Sequence, residues 1–314
     1  MILSCGDALY DVFMGPKSAG ALDTSRIALD ARVGGSPLNV AMALSRLGQN
    51  AGFFAKVSTD PFGQNLVAHL ASEGVATDLC VRTAAPTTLA VVALDAKGVP
   101  SYSFYTSGTA DRSLELAELP SQLPDAIRVL HIGSYSTALE PTAGSLEALV
   151  TRERTRRFIS YDPNIRPTIV PDRGIWRARV AALTARAHMV KASIEDIAFL
   201  YPGTDERTIL QEWLGRGVSL AVATRGDAGA VAVTASGLIA EARTPKVKVV
   251  DTVGAGDTFQ AALLTWLSEN NRLSPEGIAA LSQADLSKLL EFAARAASIT
   301  CSRRGADMPR RSEL

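Results

Sequence analysis

Residues 251–259 read DTVGAGDTF: Gly254 and Gly256 bracket Ala255, and the acid Asp257 follows at once. A strand-like run, KVKVV, precedes this loop, and a helical run, FQAALLTWL, follows it. Phe259, Ala262, Leu263, Trp266 and Leu267 recur at helical spacing, so the loop opens a helix. A helix start presents unpaired backbone N–H groups and a partial positive charge, which attract an anion. Glycines allow the backbone to approach a phosphate closely. Asp257 would then stand in the first turn beside the same anion, where its charge opposes binding. A carboxylate in that place suits a proton acceptor for a hydroxyl that attacks a phosphate. Two other readings compete. An acid in the first turn favours the helix dipole by itself. GAGDTF can also be read as a decayed dinucleotide fingerprint, although Phe259 stands in place of the third glycine and the loop comes late in the chain.

The elements that must position this loop alternate. ILSCGDA, AGFFAKV, RVLHIG, RFISYD, HMVKAS and LAVATRG read as strands. Between them lie helical patterns. SPLNVAMALSRLG has Ser36 as expected N-cap, Pro37 at the first helical position and Gly48 as stop. DPFGQNLVAHLASEG repeats that punctuation with Asp60, Pro61 and Gly74. Such alternation predicts a parallel sheet with helices on both faces. Two segments, about 11–33 and 87–106, break the rhythm and read as a small β-rich appendage, the second with a hairpin signal at DAKG. Ordinary edge hairpins are the alternative. In the second segment Tyr102 and Phe104 fall on one strand face and Tyr105 on the other.

The totals bound the class. Hydrophobic residues make up 47% and charged residues 20% of 314, as expected of one globular domain over residues 1–314. Lys+Arg equals Asp+Glu at 32 each, which argues against a general nucleic-acid binder. Cys5, Cys80 and Cys301 are far apart and odd in number, as are His69, His131 and His188, so neither set offers metal-ligand spacing. MILSCGDALYDVF reads as a buried strand rather than a signal peptide, and no apolar run reaches the ~18 residues of a membrane span. A cytoplasmic protein is the expectation.

DTVGAGDTFQAALL closely resembles the C-terminal signature of the ribokinase-like, or PfkB, family of sugar kinases, and GGSPLNVAMALSRLG resembles its N-terminal signature. FAKVSTDPFGQNLVAHLASEGV, YDPNIRP, VKASIEDIAFLYPG and TRGDAGAVAV continue the match in order. The resemblance implies a three-layer α/β/α fold with a mostly parallel sheet and a small β-sheet lid over the sugar. It implies ATP as co-substrate, an anion hole at Gly254, Ala255 and Gly256, and Asp257 as general base. It places the sugar at Asp11, Gly34, Gly35, Asn39 and Arg166, with Phe104 on the inner lid face. On the nucleotide side it implies Ser193, Thr224, Arg225 and Gly226, with Ala294 and Ser298 beside an adenine slot or simply packed in the core. SIED matches a block that reads N-x-x-E in the family, so Ser193 and Asp196 are departures, and Asp196 would hold hydrated Mg²⁺ through water. Many relatives bind K⁺, for which Asp251, Val253 and carbonyls of CSRRGAD would serve. Family lids often pair between subunits, so a homodimer through the lid is expected.

GGSPLNVA, SYDPNIRP and RRGADMP look most like bacterial fructokinases. Ribokinases usually have lysine where Ser36 stands, and 2-keto-3-deoxygluconate kinases share the DPNxR block. A dehydrogenase would need G-x-G-x-x-G after the first strand, and SCGDALYDV lacks it. A non-catalytic sugar or nucleotide sensor would be favoured by loss of Asp257 or the glycines, and all are present.

Overall fold

The computed structural model describes residues 1–14, 25, 27–94 and 100–314. The chain runs through β1 (Ile2–Cys5), β2 (Leu9–Met14) and β3 (Leu29–Gly34) into α1 (Ser36–Arg46). β4 (Ala51–Phe54), β5 (Lys56–Ser58), α2 (Pro61–Ser72) and β6 (Val81–Thr83) follow, then β7 (Thr88–Leu94) and β8 (Pro100–Tyr105). Alternation resumes with β9 (Val129–Gly133), α3 (Thr142–Glu153), β10 (Phe158–Asp162), α4 (Arg173–Thr184), β11 (Met189–Ser193), α5 (Ile194–Leu200) and α6 (Glu206–Gly215). β12 (Leu220–Thr224), β13 (Ala230–Thr234) and β14 (Ile239–Ala242) lead to α7 (Ala255–Glu269), α8 (Pro275–Ala279) and α9 (Gln283–Cys301).

The central sheet has the order β14-β13-β12-β11-β10-β9-β1-β4. It is parallel from β4 to β12, and β13 and β14 return antiparallel at one edge. Successive strand residues feed opposite cores, as the two-residue period requires. Ile2, Phe53, Val129 and Phe158 join one core with α1, α7 and α9. Leu3, Phe54, Leu130 and Ile159 join the other with α3 to α6. Burial on both faces is why these strands read as nearly continuous apolar runs. The result is the expected three-layer α/β/α arrangement. After β1 the chain first builds β4 on one side and later β9 on the other, so a topological switch lies at β1. Ligands of open α/β sheets bind at such a crevice, beyond the strands' carboxyl ends.

The two irregular segments form a sheet of their own, ordered β3-β2-β7-β8. They are therefore not edge hairpins of the central sheet. β2 pairs with β7 in parallel, while the other two pairings are antiparallel. DAKG, at 95–98, lies outside the described residues. Asp11 stands opposite Arg32 on one side and Ala90 on the other, and Ala90 stands opposite Phe104. Asp11 and Phe104 thus share one lid face. Among the described residues no helix is long and apolar enough to cross a membrane.

One local expectation is corrected. Gly35, not Ser36, is the N-cap of α1, and no side chain caps that end. Gly35 has φ 108, and a Cβ there would come 2.8 Å from the Asp7 carbonyl oxygen. That close crossing at a left-handed backbone needs glycine. It moves Ser36 into the first turn, with its hydroxyl free for another task.

Candidate active site

Gly254 caps α7 in a left-handed conformation, φ 77, and the first helical bond runs from the Thr258 amide to the Gly254 carbonyl at 2.8 Å. The amides ahead of Thr258 have no intrahelical acceptor and face the crevice as an anion-binding turn. The loop before them is tied to the C-terminal segment. Asp251 accepts the Val253 amide (3.1 Å) and the Gly305 amide (2.9 Å). The Cys301 carbonyl accepts the amides of Val250 (2.8 Å) and Asp251 (3.2 Å). Asp251, Val253 and the CSRRGAD segment are therefore brought together beside the helix start.

Asp257 is buried in the first turn of α7. Two side chains of α1 hold its carboxylate. The Ser36 hydroxyl donates to Oδ1 at 2.6 Å, and the Asn39 amide donates to Oδ2 at 2.8 Å. Asn39 Oδ1 is buried and has no partner. Each carboxylate oxygen keeps a second lone pair for a substrate hydroxyl.

The lid supplies Asp11. A Cβ on Gly34 would fall 2.4 Å from Asp11 Oδ2, so the carboxylate lies directly against the glycine backbone. Burial pushes the Asp11 carboxyl up to about 6, with the charges of Asp257 and Asp251 adding to the rise and Arg166 opposing it. Asp11, Arg166 and Asp257 thus share one electrostatic neighbourhood. Arg166 is anchored within its own loop, donating to Asn164 Oδ1 at 2.6 Å and to the Ile165 carbonyl at 3.1 Å.

Behind this group lies Asp7, fully buried with neither oxygen hydrogen-bonded. The Ser136 hydroxyl beside it is spent on the Gly133 carbonyl at 2.8 Å. Burial, then the neighbouring Asp111, raises the Asp7 carboxyl to about 7. A folded-state value above the unfolded one means that ionisation opposes folding. The stability present below the unfolded value, near pH 4, is lost as pH rises through about 7. Asp7→Asn removes this dependence. Its stability relative to the native chain, from urea unfolding, is expected to rise by more than about 1 kcal/mol between pH 5 and pH 8. An unchanged difference would contradict the buried, proton-holding state of Asp7.

On the nucleotide side, Ser193 and Thr224 stand opposite each other at the ends of β11 and β12. Ser193 caps α5, and Asp196 completes the capping box. Asp196 also accepts the Ile165 amide at 2.8 Å, so both its oxygens hold backbone. Among the described residues no acidic, His or Cys group could hold a metal by itself. Asp196 retains outer lone pairs, which fits contact with hydrated Mg²⁺ through water rather than direct ligation. The Arg225 side chain is engaged by Glu206 at 2.6 Å and Glu241 at 3.3 Å. Gly226, at φ 58, turns the chain there. Ala294 and Ser298 are buried in the packed face of α9, and the Ser298 hydroxyl donates to the Arg295 carbonyl at 2.8 Å.

Three residues near the site escaped the sequence reading. Ser36 was assigned to a cap. Asp162 and Lys191 form a buried ion pair at 2.6 Å, and the same ammonium reaches the Gly256 carbonyl at 3.3 Å. A lysine inside the apolar strand HMVKAS was the available signal, because a buried lysine needs a partner. Deeper on the same sheet face, Gln260 donates to Ser160 at 2.7 Å, and His131 meets that hydroxyl at 3.2 Å.

The profile of pfkB family carbohydrate kinases matches residues 1–312. A fructokinase of Rhizobium leguminosarum bv. trifolii is 37% identical over 283 residues, covering 90% of this chain and 84% of the relative. Fructokinase-1 of Oryza sativa subsp. japonica is 33% identical over 310 residues, covering 98% and 93%. The crystal structure of fructokinase with bound ATP from Xylella fastidiosa matches with a TM-score of 0.90 at 28% identity, covering 99% of this chain and 96% of that one. A fructokinase double mutant from Vibrio cholerae O395, in a fructose, ADP and potassium ion bound form, matches at TM-score 0.80 and 26% identity, covering 97% and 93%. With the anion-binding turn, its flanking acid and the separate lid sheet in place, this chain belongs to the pfkB family of carbohydrate kinases.

Proposed function

We propose that the protein is an ATP-dependent fructokinase. The observation that carries this reading is the Asp257 carboxylate, buried in the first turn of α7 and gripped by Ser36 and Asn39. Fructose binds between Asp11, Gly34, Gly35, Asn39 and Arg166, with Phe104 on the facing side of the lid. ATP lies along Ser193, Thr224, Gly226 and α9. Asp257 takes the proton of a fructose hydroxyl, whose oxygen bonds to the γ-phosphorus as the bond to the β,γ-bridging oxygen breaks. ADP leaves, and the amides at Gly254–Gly256 face the charge on the transferred group. Mg²⁺ carried with the nucleotide would supply charge neutralisation, with Asp196 reaching it through water. K⁺ would be held by Asp251 and the Val253 carbonyl, and a fructokinase relative bound to potassium supports that assignment.

Closure of the lid keeps water from the phosphoryl group. Its outer face leaves Tyr105 62% and Leu29 59% exposed, which favours a homodimer through the lid. Reduced, separate cysteines suit the cytoplasm.

Fructose is preferred over an acidic sugar because the Arg166 guanidinium is held by its own loop. Steady-state kinetics with fructose, 2-keto-3-deoxygluconate and ribose, at fixed Mg·ATP and K⁺, test this. The highest kcat/KM is expected for fructose. The highest value for the keto-deoxy acid would overturn the fructose assignment and leave the kinase assignment standing.

A further inference from the structure

Ser36 has no part in capping α1, yet its hydroxyl is buried and points across to α7. Its 2.6 Å bond to Asp257 Oδ1 joins positions 221 residues apart in sequence. A hydroxyl donating to a carboxylate favours the ionised form and fixes the plane of the group. Asn39 secures the other oxygen at 2.8 Å. Ser36 also follows directly on Gly34–Gly35, where lid strand β3 ends and turns into α1. The segment that carries the lid therefore ends on the residue that holds the acid.

We infer that Ser36 is a positioning residue, which holds the Asp257 carboxylate ionised and aimed at the sugar hydroxyl. This rests on the kinase reading above. With the hydroxyl removed, Oδ1 loses its donor inside a site that admits little water. The carboxylate then binds a proton more readily, and it can turn about its remaining bond to Asn39. Other charged groups face Asp257 from each packed element: Asp11 from β2, Asp162 from β10 and Lys191 from β11. From α1 it meets only the neutral Ser36 and Asn39. The charged neighbours are unaltered by a change at Ser36, so a difference between variant and native profiles isolates the lost bond.

The experiment is the pH profile of kcat/KM for fructose at saturating Mg·ATP, for the native chain, Ser36→Ala and Ser36→Thr. In Ser36→Ala the acid limb is expected to move up by about one pH unit, the size of one lost hydrogen bond to a charge. The KM for ATP should stay as it was, and Ser36→Thr, which keeps a hydroxyl, should return the limb towards its native place. Should Ser36→Ala fold poorly, Ser36→Cys, with a weaker donor of similar size, is expected to give a smaller upward move. An acid limb unmoved in the folded variant, or moved equally by Ala and Thr, overturns the role. Asp257→Asn run alongside separates the two readings. Loss of its turnover with an unmoved limb in Ser36→Ala sinks the Ser36 role alone, whereas retained turnover sinks the kinase reading and this role with it.

Discussion

Asp257→Asn is expected to lower kcat for fructose by about 10²–10⁴, the usual worth of a positioned general base. The amide is nearly the same size, so α7 and its packing against α1 should persist. Asn39 already donates to Oδ2 and Ser36 to Oδ1. An amide at 257 would present its own donors to one of them and could not take a proton from the sugar. Nucleotide binding, followed by calorimetry, should remain close to native, because the anion-binding amides are backbone groups. A kcat within about threefold of native, at saturating sugar and Mg·ATP, would remove Asp257 from the chemistry.

The second large effect is expected at Gly254. A Cβ there would meet the Ala306 Cβ at 2.8 Å and its Cα at 3.0 Å, and the residue stands at φ 77. Valine resists that backbone conformation and has no room against the C-terminal segment. The turn must shift, and with it the amides that face the phosphoryl group. Gly254→Val is expected to lower kcat by about 10²–10³, as loss of an oxyanion-type donor does. Far-UV circular dichroism should be unchanged, since the strain falls on a loop at the edge of the core. Full activity would show that the turn does not need this geometry.

Much of the arrangement was legible because its signals are local. The caps at Asp60 and Ser193, the strand–loop–helix at 251–259 and the strands that interrupt the alternation are each written within a few residues. Ser36 misled for the same reason. Ser-Pro before an apolar helical pattern is a strong cap signal, and only the close crossing of Gly35 over Asp7 moves the cap back by one residue. The Asp162–Lys191 pair depends on the register of β10 on β11, where Ser160 stands opposite Met189 and Tyr161 opposite Val190. No local pattern encodes that pairing. Arg225 was read as a phosphate neighbour from its strand turn, whereas its ion pairs come from α6 and β14. Nor could sequence show that one carboxylate of the capping box, Asp196, also secures the Ile165 amide in the DPNIR loop.

The most direct test of the central claim is transfer of label. The protein is incubated with ATP labelled in the γ-phosphoryl group, Mg²⁺, K⁺ and fructose, and the products are separated. Label is expected in a fructose phosphate, one equivalent for each ADP formed, with little in inorganic phosphate and none transferred by Asp257→Asn. Label found only as inorganic phosphate, or no sugar-dependent loss of ATP, would contradict a buried acid that delivers a sugar hydroxyl to ATP.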